Sequence, residues 1–528
     1  MQEIELKFLV PESRLKGLMR QVKVKSSQVT QLAAHYYDTP DQQLAQAGIG
    51  LRIRKEGDTW VQTIKAGGDG IAARLEHNAV LDDKQVQEML HNNGLMPDLT
   101  IYAETPVASA LTNFKLKKLA QNLTRLYVTN VERTTRLLIE DSSDETNSCI
   151  EMAYDHGEIV HGTDDSQRKT IQEIEFELVS GDLDFLFTTA KTWCKRYKLC
   201  LSTVTKAENG GLLINGQNHS PAVGADLSQL DLNKDSSMPT FIRAAVHNCL
   251  LQILPNSSAI VAGSIDDEHV LQVSIGLERL QAALTAFADF SDEINPDWLP
   301  ILKQTSSLLD NYYQLTHINT YIEPELQALG APAVDWTTDI ENIKITPINT
   351  LRANDFQLTL LELIAFTMSD PSIEPQTDKL ALDKLAKILS KQYNKCLKAD
   401  KETDEVSSTE LGSDDVNVDM DISEDNQDEA LLCDRLKALR YISEFSAPLL
   451  SKKKAKKKTK RWLKRLIKAH IALEQRNDDN QYQQFYALKS AKDTNALYGA
   501  GWFAAMLTDD PIYIETRLAK FKDSSTFW

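Results

Sequence analysis

Short segments in which charged and apolar residues alternate recur throughout the first 213 residues of the chain. Alternation with a period of two is typical of β-strands, because successive side chains point to opposite faces of a sheet. Turn residues separate these segments, which are EIELKFLV, GLRIRKEG, TWVQTIKAG, RLEHNAVL, YVTNVERTTRLLIE, SCIEMAYDHGEIV and IQEIEFELVSG. We therefore predict a strand-rich domain over residues 1–213, with a few helices between the strands.

A change of period marks a second domain. Residues 214–238 are rich in Asn, Ser, Gly and Pro and are predicted to form a linker. From residue 239 to 528 the apolar residues recur at spacings of three and four, as in FIRAAVHNCLLQIL and LPILKQTSSLLDNYYQLTHIN, which predicts amphipathic helices. A chain of 528 residues is also too long for one hydrophobic core, so an all-α domain over residues 239–528 is expected to follow the first domain.

The composition narrows the classes of function. The formal net charge is −18, so a general nucleic-acid binder, which needs a basic surface, is not expected. The 6 cysteines are scattered, without a CxxC pair or zinc-ligand spacing, which is typical of reduced thiols in a cytoplasmic protein. The first residues lack a signal-peptide pattern, and no run of about 18 apolar residues exists, so no membrane span is expected.

The charged faces of the predicted strands are not an arbitrary mixture. Solvent exposure explains a charged face on any one strand, but not the same arrangement on six strands. If such strands close into a barrel with the charged faces inside, the lumen holds carboxylates and cations together, and buried charges must be paired or bind ions. A polyanion with divalent cations would satisfy both signs of charge, because carboxylates suit Mg²⁺ or Mn²⁺ and Arg and Lys suit phosphate. The carboxylates are Glu3, Glu5, Glu151, Asp155, Glu173, Glu175 and Glu177, and the cations are Arg52, Arg54, Lys65 and Arg133.

The order of these motifs resembles the CYTH domains, the triphosphate tunnel metalloenzymes. EIELK matches the ExExK signature and is followed, in the order of the family, by LRIR, TIK, RLE, VERTT, IEMAYDHGEI, EIEFEL and TKA. The resemblance covers roughly the first 210 residues and implies an antiparallel eight-stranded closed β-barrel, or tunnel, with flanking helices. The helical part, with LKALRYISEF and GAGWFAA, resembles the CHAD domain, which implies two helical-bundle repeats.

The resemblance also implies roles for individual residues. The implied metal ligands are Glu3, Glu5, Asp155, Glu173, Glu175 and Glu177. The implied substrate contacts are Lys7, Arg52, Arg54, Lys65, Arg74, Arg133 and Lys206. The residues expected to be catalytic are Glu3, Glu5, Lys7, Lys65 and Glu175, while Glu76 and Glu151 complete the network. Arg74 is left open between a substrate contact and an ion pair with Glu76, and Asn209 replaces an Arg that is frequent in relatives.

The implied reaction is hydrolysis of inorganic tripolyphosphate to phosphate and pyrophosphate with two divalent cations, Mg²⁺ or Mn²⁺. Hydrolysis of thiamine triphosphate and cyclisation of ATP to cyclic AMP remain alternatives on the same fold. A non-catalytic scaffold that binds phosphate polymers is a third class. Neither a sequence-specific nucleic-acid partner nor a membrane partner is expected.

Possible weak polyphosphate binding is expected of the helical domain, because the cation pattern of the CHAD resemblance is incomplete. In the first repeat Arg279 matches, but Leu271 and Ser274 stand where a His and an Arg belong. In the second repeat Lys437, Arg440 and Tyr441 match, whereas Ala430 and Cys433 replace the upstream His and Arg. A long polyanion needs many simultaneous cation contacts, so binding that fades at physiological salt is predicted.

Two charged segments interrupt the helical domain. The acidic, Ser-rich segment from Asp400 to Glu429 is predicted to be a disordered insertion between two helices. The basic segment from Lys452 to Lys468 is interpreted as a solvated helix start or inter-helix loop, with anion binding as the alternative.

Overall fold

The computed structural model of the chain describes residues 2–67, 71–91, 94–140, 147–406, 424–451, 456–509 and 511–528. Two compact units make up the chain. The first comprises residues 1–224, 250–273 and 347–369, and the second comprises residues 225–249, 274–346 and 370–528. The first unit thus includes two segments beyond the predicted linker, and the boundary at residue 213 stays a prediction.

A closed β-barrel forms the centre of the first unit. In the part of the chain that is described, the strands are β1 Gln2–Leu9, β2 Gln28–Asp38, β3 Gly50–Glu56, β4 Thr59–Gly67, β5 Ala73–Val80, β6 Thr124–Ile139, β7 Cys149–His161, β8 Arg168–Ser180 and β9 Cys200–Leu201. The strand order is β5-β4-β3-β2-β6-β7-β8-β1, all pairs are antiparallel, and β1 also pairs with β5. The predicted closed eight-stranded antiparallel barrel is therefore confirmed, with the short β9 added beside β1.

Strand β2 is missing from the alternating segments that the sequence indicates. Its sequence, QVTQLAAHYYD, carries no charged residue before Asp38, so no charged face marks it as a strand of the barrel. Tyr36 and Tyr37 are both buried although they point to opposite faces, because one face lies inside the barrel and the other is covered. A strand buried on both faces loses the alternation on which the sequence argument depends.

The outer faces of β1 and β8 are apolar and are covered by a helix. The Phe8 and Phe176 rings are in edge contact, with centroids 5.9 Å apart, and Trp193 packs on Phe176 at 5.5 Å. Trp193 belongs to a helix of the first unit, so burial of these rings fixes which side of the strands faces outward. The helices within the first unit are α1 Glu12–Val22, α2 Gln43–Gln46, α3 Asp83–His91, α4 Leu116–Asn122, α5 Leu183–Tyr197, α6 Lys206–Ile214, α12 Pro347–Leu351 and α13 Asn354–Met368.

The second unit is helical, as the sequence predicts. Helices α7 Met238–Val261 and α8 Asp267–Phe287 contribute residues to both units. The other helices of the second unit are α9 Trp298–His317, α10 Glu323–Ala328, α11 Thr337–Glu341, α14 Ala381–Val406, α15 Glu424–Leu450, α16 Lys456–Ser490, α17 Leu497–Asp509 and α18 Pro511–Lys522. None of the described helices is both long enough and apolar enough to cross a membrane.

The two charged segments fall partly outside the described residues. Residues 407–423 of the predicted acidic insertion lie outside them, while residues 400–406 and 424–429 belong to α14 and α15. Residues 452–455 of the basic segment also lie outside. Its remaining residues start α16, where Trp462 and Leu466 are buried and Arg461, Lys464 and Lys468 are exposed.

Candidate active site in the barrel lumen

Three buried carboxylates lie together on β7 and β8. We call Asp155, Glu173 and Glu175 the carboxylate trio; each offers an oxygen within 4.8 Å of the others. Their exposed fractions are 0%, 4% and 8%. The register brings them together, because Asp155 pairs with Glu173 across the strands and Glu175 follows two residues later on the same face. A buried acidic cluster of this kind could hold a divalent metal ion.

Three cations surround the trio. The Lys206 ammonium lies 2.7 Å from an Asp155 oxygen and 3.0 Å from a Glu175 oxygen, and it also contacts Glu173. The guanidinium of Arg133 donates two hydrogen bonds to Asp155, at 2.7 and 2.6 Å, and one to Glu175 at 2.7 Å. Lys7 lies 3.5 Å from Glu175. Together these contacts place every carboxylate of the trio in an ion pair.

The cations control the ionisation of the trio. Burial acts to raise the pKa of Glu175, but the charges of Lys206, Arg133 and Lys7 outweigh it and hold that pKa well below its ordinary value. Asp155 behaves in the same way: burial opposes ionisation, while Lys206 and Arg133 lower its pKa. Asp155 and Glu175 are therefore ionised at neutral pH, and protein cations already compensate their negative charge.

The position of Lys206 follows from how α6 begins and packs. The Thr205 hydroxyl caps the helix by accepting a hydrogen bond from the Glu208 backbone N–H at 2.9 Å. The Tyr127 hydroxyl donates to the backbone oxygen of Ala207 at 2.9 Å. Gly210 is required beside this ring, because a Cβ there would lie 2.1 Å from a Tyr127 carbon. Close packing of α6 on β6 thus places the ammonium of Lys206, the first residue of α6, next to the trio.

A second ionic group lies around Lys65 on β4. Its ammonium lies 2.7 Å from Glu3 on β1 and 2.7 Å from Glu76 on β5. Burial raises the pKa of Glu3 to about 8, although Lys65 acts to lower it, and the neighbouring Glu76 adds to the increase. Arg74 pairs with Glu5 at 2.9 Å. The structure therefore gives Arg74 a lumen carboxylate of β1 as a partner.

A row of three carboxylates crosses strands β1, β8 and β7. Glu177 lies opposite Glu5 on one side and opposite Glu151 on the other. We call Glu5, Glu177 and Glu151 the carboxylate row. Within the described residues, neither Glu177 nor Glu151 forms an ion pair. Burial and the negative charges of Glu151 and Glu5 raise the pKa of Glu177, despite the opposing charge of Lys65. Glu5 is paired with Arg74, so the uncompensated negative charge of the row lies on Glu177 and Glu151.

Two guanidinium groups lie on β3, and one of them has unmet hydrogen-bonding capacity. The buried Nε of Arg52 has no hydrogen-bond partner among the described residues, and its Nη1 donates weakly to the Tyr36 hydroxyl at 3.4 Å. Arg54 donates to Glu56 at 2.7 Å. Burial lowers the pKa of Arg54, and the nearby positive charges of Arg52 and Arg133 lower it further. A group of cations that repel one another, one with an idle donor, is suited to bind phosphate oxygens.

All the site residues that the sequence predicts lie on the inward face of the barrel or, for Lys206, on the helix that reaches into it. Their individual roles stay predictions. Two further residues of this network were missed. Tyr36 comes from strand β2, whose inward face is uncharged, and Glu56 is the last residue of β3, next to a turn where a charged residue is not distinctive. Alternation along β2 places Tyr36 on the same face as Ala34, and this is the signal from which Tyr36 could have been assigned to the inward face.

Comparison with family models assigns a domain to each part of the chain. The model of the CYTH domain matches residues 1–210, and the model of the CHAD domain matches residues 244–487. These matches agree with the barrel and with the helical region, respectively.

Known proteins also resemble the chain over these regions. Inorganic triphosphatase of Haemophilus influenzae is 30% identical over 219 residues, which are 40% of this chain and 55% of that protein. The chain therefore spans about half the length of this curated relative. The CHAD-domain structure from Ricinus communis is 18% identical, with a TM-score of 0.45, and covers 58% of this chain and 98% of that one. HpAC1 from Hippeastrum, described with a dominant triphosphatase activity, is 16% identical, with a TM-score of 0.29, and covers 41% and 96%.

Proposed function

The chain carries a CYTH domain followed by a CHAD domain and belongs with the CYTH–CHAD proteins, and from this premise we propose that its barrel hydrolyses inorganic tripolyphosphate. Water adds to a terminal phosphorus, the bond from that phosphorus to the bridging oxygen breaks, and phosphate and pyrophosphate leave. The name of the Haemophilus influenzae relative supports a triphosphatase. Our proposal goes beyond this activity in choosing inorganic tripolyphosphate, rather than an organic triphosphate, as the substrate.

The proposal depends mainly on one observation, which is that the buried Nε–H group of Arg52 has no hydrogen-bond partner among the described residues. A buried N–H without a partner costs about 1–3 kcal/mol, so its persistence in the lumen is best explained by a ligand that satisfies it. Arg54 and Arg133 lie close enough to act on each other electrostatically, and all three would be relieved by one polyanion. Phosphate oxygens match the geometry of a guanidinium group.

A divalent cation fits the carboxylate row better than the trio. The row offers Glu5, Glu177 and Glu151, and the last two form no ion pair within the described residues. Ion binding would therefore relieve the repulsion that raises the pKa of Glu177. A cation held there would polarise the attacking water and neutralise phosphate oxygens. A second ion at the trio would have to replace the contacts of Lys206, so the predicted pair of ions depends on movement of that ammonium.

The protein's own side chains bind and orient the substrate around that position. Arg52, Arg54 and Arg133 hold phosphate oxygens and neutralise the charge that develops on the transferred phosphoryl group and the leaving pyrophosphate. Lys65 is held between Glu3 and Glu76, which fixes its ammonium in the lumen before substrate arrives. The barrel wall limits the solvent exposure of the Arg54, Lys65 and Arg133 side chains to 16%, 26% and 19%, and this partial burial strengthens their electrostatic contacts.

The test is a substrate panel on the full chain. Phosphate release is measured with tripolyphosphate, ATP and thiamine triphosphate, each with Mg²⁺, with Mn²⁺ and with EDTA, and cyclic AMP is followed in the ATP samples. We expect tripolyphosphate with a divalent cation to react fastest and EDTA to abolish release. A preference for thiamine triphosphate, or formation of cyclic AMP, would replace the proposed substrate. Binding of tripolyphosphate without any release would indicate a scaffold.

A further inference from the structure

The second unit contains a cavity of about 850 Å³ whose charge pattern differs from that of the lumen. Its walls come from α8, α9, α14, α15 and α16. A volume of this size suits a small organic ligand rather than a single ion. Residues that line it include Glu278, Asp310, Lys437, Tyr441, Gln481 and Phe485.

The inner cation of the cavity is already neutralised. The ammonium of Lys437 lies 2.6 Å from Glu278 and 3.3 Å from Glu474. The Tyr441 hydroxyl donates a hydrogen bond to the second oxygen of Glu278 at 3.1 Å. Lys437 therefore has two carboxylate partners within the protein, and little of its charge is left for an anionic ligand.

Other carboxylates around the cavity lack such a partner. Neither Asp310, which lines it, nor Asp478 forms an ion pair with the residues that are described. Asp478 is not itself part of the lining, but it lies one turn before Gln481, which is, and the charge of Asp310 in the lining acts on it. Burial raises the pKa of Asp478 to about 7, and the negative charges of Glu474, Asp479 and Asp310 add to the increase although Lys437 opposes it.

Asp310 carries the same excess of negative charge. Burial raises its pKa, and the charge of Glu474 adds to the increase, while the hydroxyl of Ser306 and the charge of Lys437 act against it. The remaining cations of the lining, Lys303 and Lys395, are exposed residues rather than inner ones. The interior of the cavity thus has more carboxylates than cations.

The rest of the lining supplies apolar surface, amide groups and hydroxyls, together with the exposed carboxylate of Asp434. Ala282, Ile442, Phe485 and Leu488 supply hydrocarbon surface, and Gln281 supplies a further carbonyl acceptor. A ligand that fits must therefore carry separated positive groups joined by hydrocarbon. Ammonium groups would pair with the carboxylates, and methylene segments would lie against the apolar residues.

We propose that this cavity binds a linear organic polyamine. Two ammonium groups of the ligand pair with Asp310 and Asp478, and the methylene chain between them packs along Phe485 and Ile442. The polyphosphate binding expected from the sequence has little support in this cavity, because Arg279 is buried beneath Phe445 and both Lys437 and Arg440 are paired with carboxylates.

Calorimetric titration of the full chain with spermidine at pH 8 and low ionic strength tests the proposal. We expect the double variant Asp310→Asn and Asp478→Asn to bind at least about tenfold more weakly, since it loses two charge-assisted contacts. Glu515→Gln on the exposed surface of α18 and Glu151→Gln in the barrel are matched controls and should change the affinity by less than about twofold. Phosphate release from the double variant should stay at the wild-type rate.

A second variant separates binding inside the cavity from general attraction to an acidic protein. Ala282→Trp narrows the cavity while every carboxylate remains, and we expect it also to weaken spermidine binding. Unchanged affinity in the double variant would overturn the proposal. So would a failure of the wild-type chain to bind spermidine, or displacement of spermidine by an equal concentration of Mg²⁺, which would indicate a small-cation site.

Discussion

The barrel lumen and the cavity of the second unit are both charged interiors, but they differ in which charges lack a partner among the described residues. The lumen leaves the Arg52 Nε–H and the carboxylates of Glu177 and Glu151 unpaired, whereas the interior of the cavity leaves carboxylates unpaired. In the lumen, Lys206 and Arg133 compensate the carboxylate trio, and Arg52 still has an idle donor. In the cavity, Lys437 is paired with Glu278 and Glu474, while Asp310 and Asp478 form no ion pair within the described residues. Buried charge of either sign must find a partner, so the sign that is left over indicates the ligand.

This comparison teaches that the number of charges in a site is a poor guide to its ligand. The trio is the tightest acidic cluster of the described chain, yet its charges are already paired. The carboxylate row is more widely spaced but poorly compensated, and it is the better candidate for a cation. Likewise, the CHAD-like cations of α15 match a phosphate-binding pattern in sequence, but contacts with Glu278 and Glu444 neutralise them.

The largest expected effect is on the carboxylate row. Glu5→Gln removes one carboxylate charge from the row while keeping its shape, so the proposed cation should be lost. We expect phosphate release to fall by about 10³-fold or more, equivalent to about 4 kcal/mol of transition-state stabilisation. Binding of Mn²⁺, followed by electron paramagnetic resonance, should weaken in parallel.

The matched control is Glu158→Gln, which removes an exposed carboxylate paired with Arg168 on the rim of the same barrel. It should leave both readouts within about twofold of the wild type, because surface ion pairs contribute little. Full activity of Glu5→Gln would show that the row is not the cation site.

The second prediction concerns the trio, where charge is compensated. Lys206→Met removes one partner of a buried ionic group and should destabilise the first unit by about 3–4 kcal/mol at pH 7. Exchange of backbone amides in β7 and β8 with deuterium should become faster. Lys195→Met, an exposed residue of α5, is the control and should have no effect.

The pH dependence of this destabilisation has a definite sign. The pKa values of Asp155 and Glu175 are lowered in the folded state, so their ionisation stabilises the fold above about pH 4 and this contribution is lost as the pH falls through the folded values. The difference between wild type and Lys206→Met should therefore be largest at neutral pH and shrink in acid. A difference independent of pH would show that the ammonium acts through packing alone.

The third prediction tests whether the unpaired Nε–H group of Arg52 contacts the substrate. Arg52→Ala should lower kcat/KM for tripolyphosphate by about 10–100-fold, since one charge-assisted contact with phosphate is worth about 1.5–3 kcal/mol. Arg168→Ala, whose side chain lies on the exposed rim, is the control. Equal kinetics for the two variants would mean that the Arg52 guanidinium does not meet the substrate.

Much of the barrel and its site could be predicted from the sequence, because the alternation of charged and apolar residues shows which face of each strand carries the charges. Glu3, Glu5, Lys65, Arg133 and their neighbours all belong to such strands, and all reach the lumen. Strand β2 could not be found in this way, because its inward residues, Ala34 and Tyr36, carry no charge.

The pairing of charges could not be predicted from either half of the sequence. A strand pattern indicates that Lys7 and Glu175 share the lumen, but only the register of β1 on β8 places them opposite each other. In the helical half, the segment LKALRY matches a cation motif and suggests that Lys437 is available to an anion. The contact that neutralises Lys437 is with Glu278, which is 159 positions away in the sequence. Long-range pairing decides whether a charge is available to a ligand, and local periodicity contains no information on it.

The smallest expected effect is on the cavity, and it has the opposite pH dependence to that of the trio. The pKa of Asp478 is raised to about 7, so ionising it destabilises the fold progressively between about pH 4 and pH 7. Asp478→Asn removes this cost and should raise the melting temperature by a few degrees at pH 8 and by almost nothing near pH 4. Glu515→Gln, exposed on α18, should change the melting temperature at neither pH.

Adding spermidine should raise the melting temperature of the wild type toward that of the Asp478→Asn variant, because the ligand supplies the missing positive charge. A variant that melts below the wild type at pH 8 would show that the Asp478 carboxylate already has a stabilising partner, and the cavity would then resemble the compensated trio rather than differ from it.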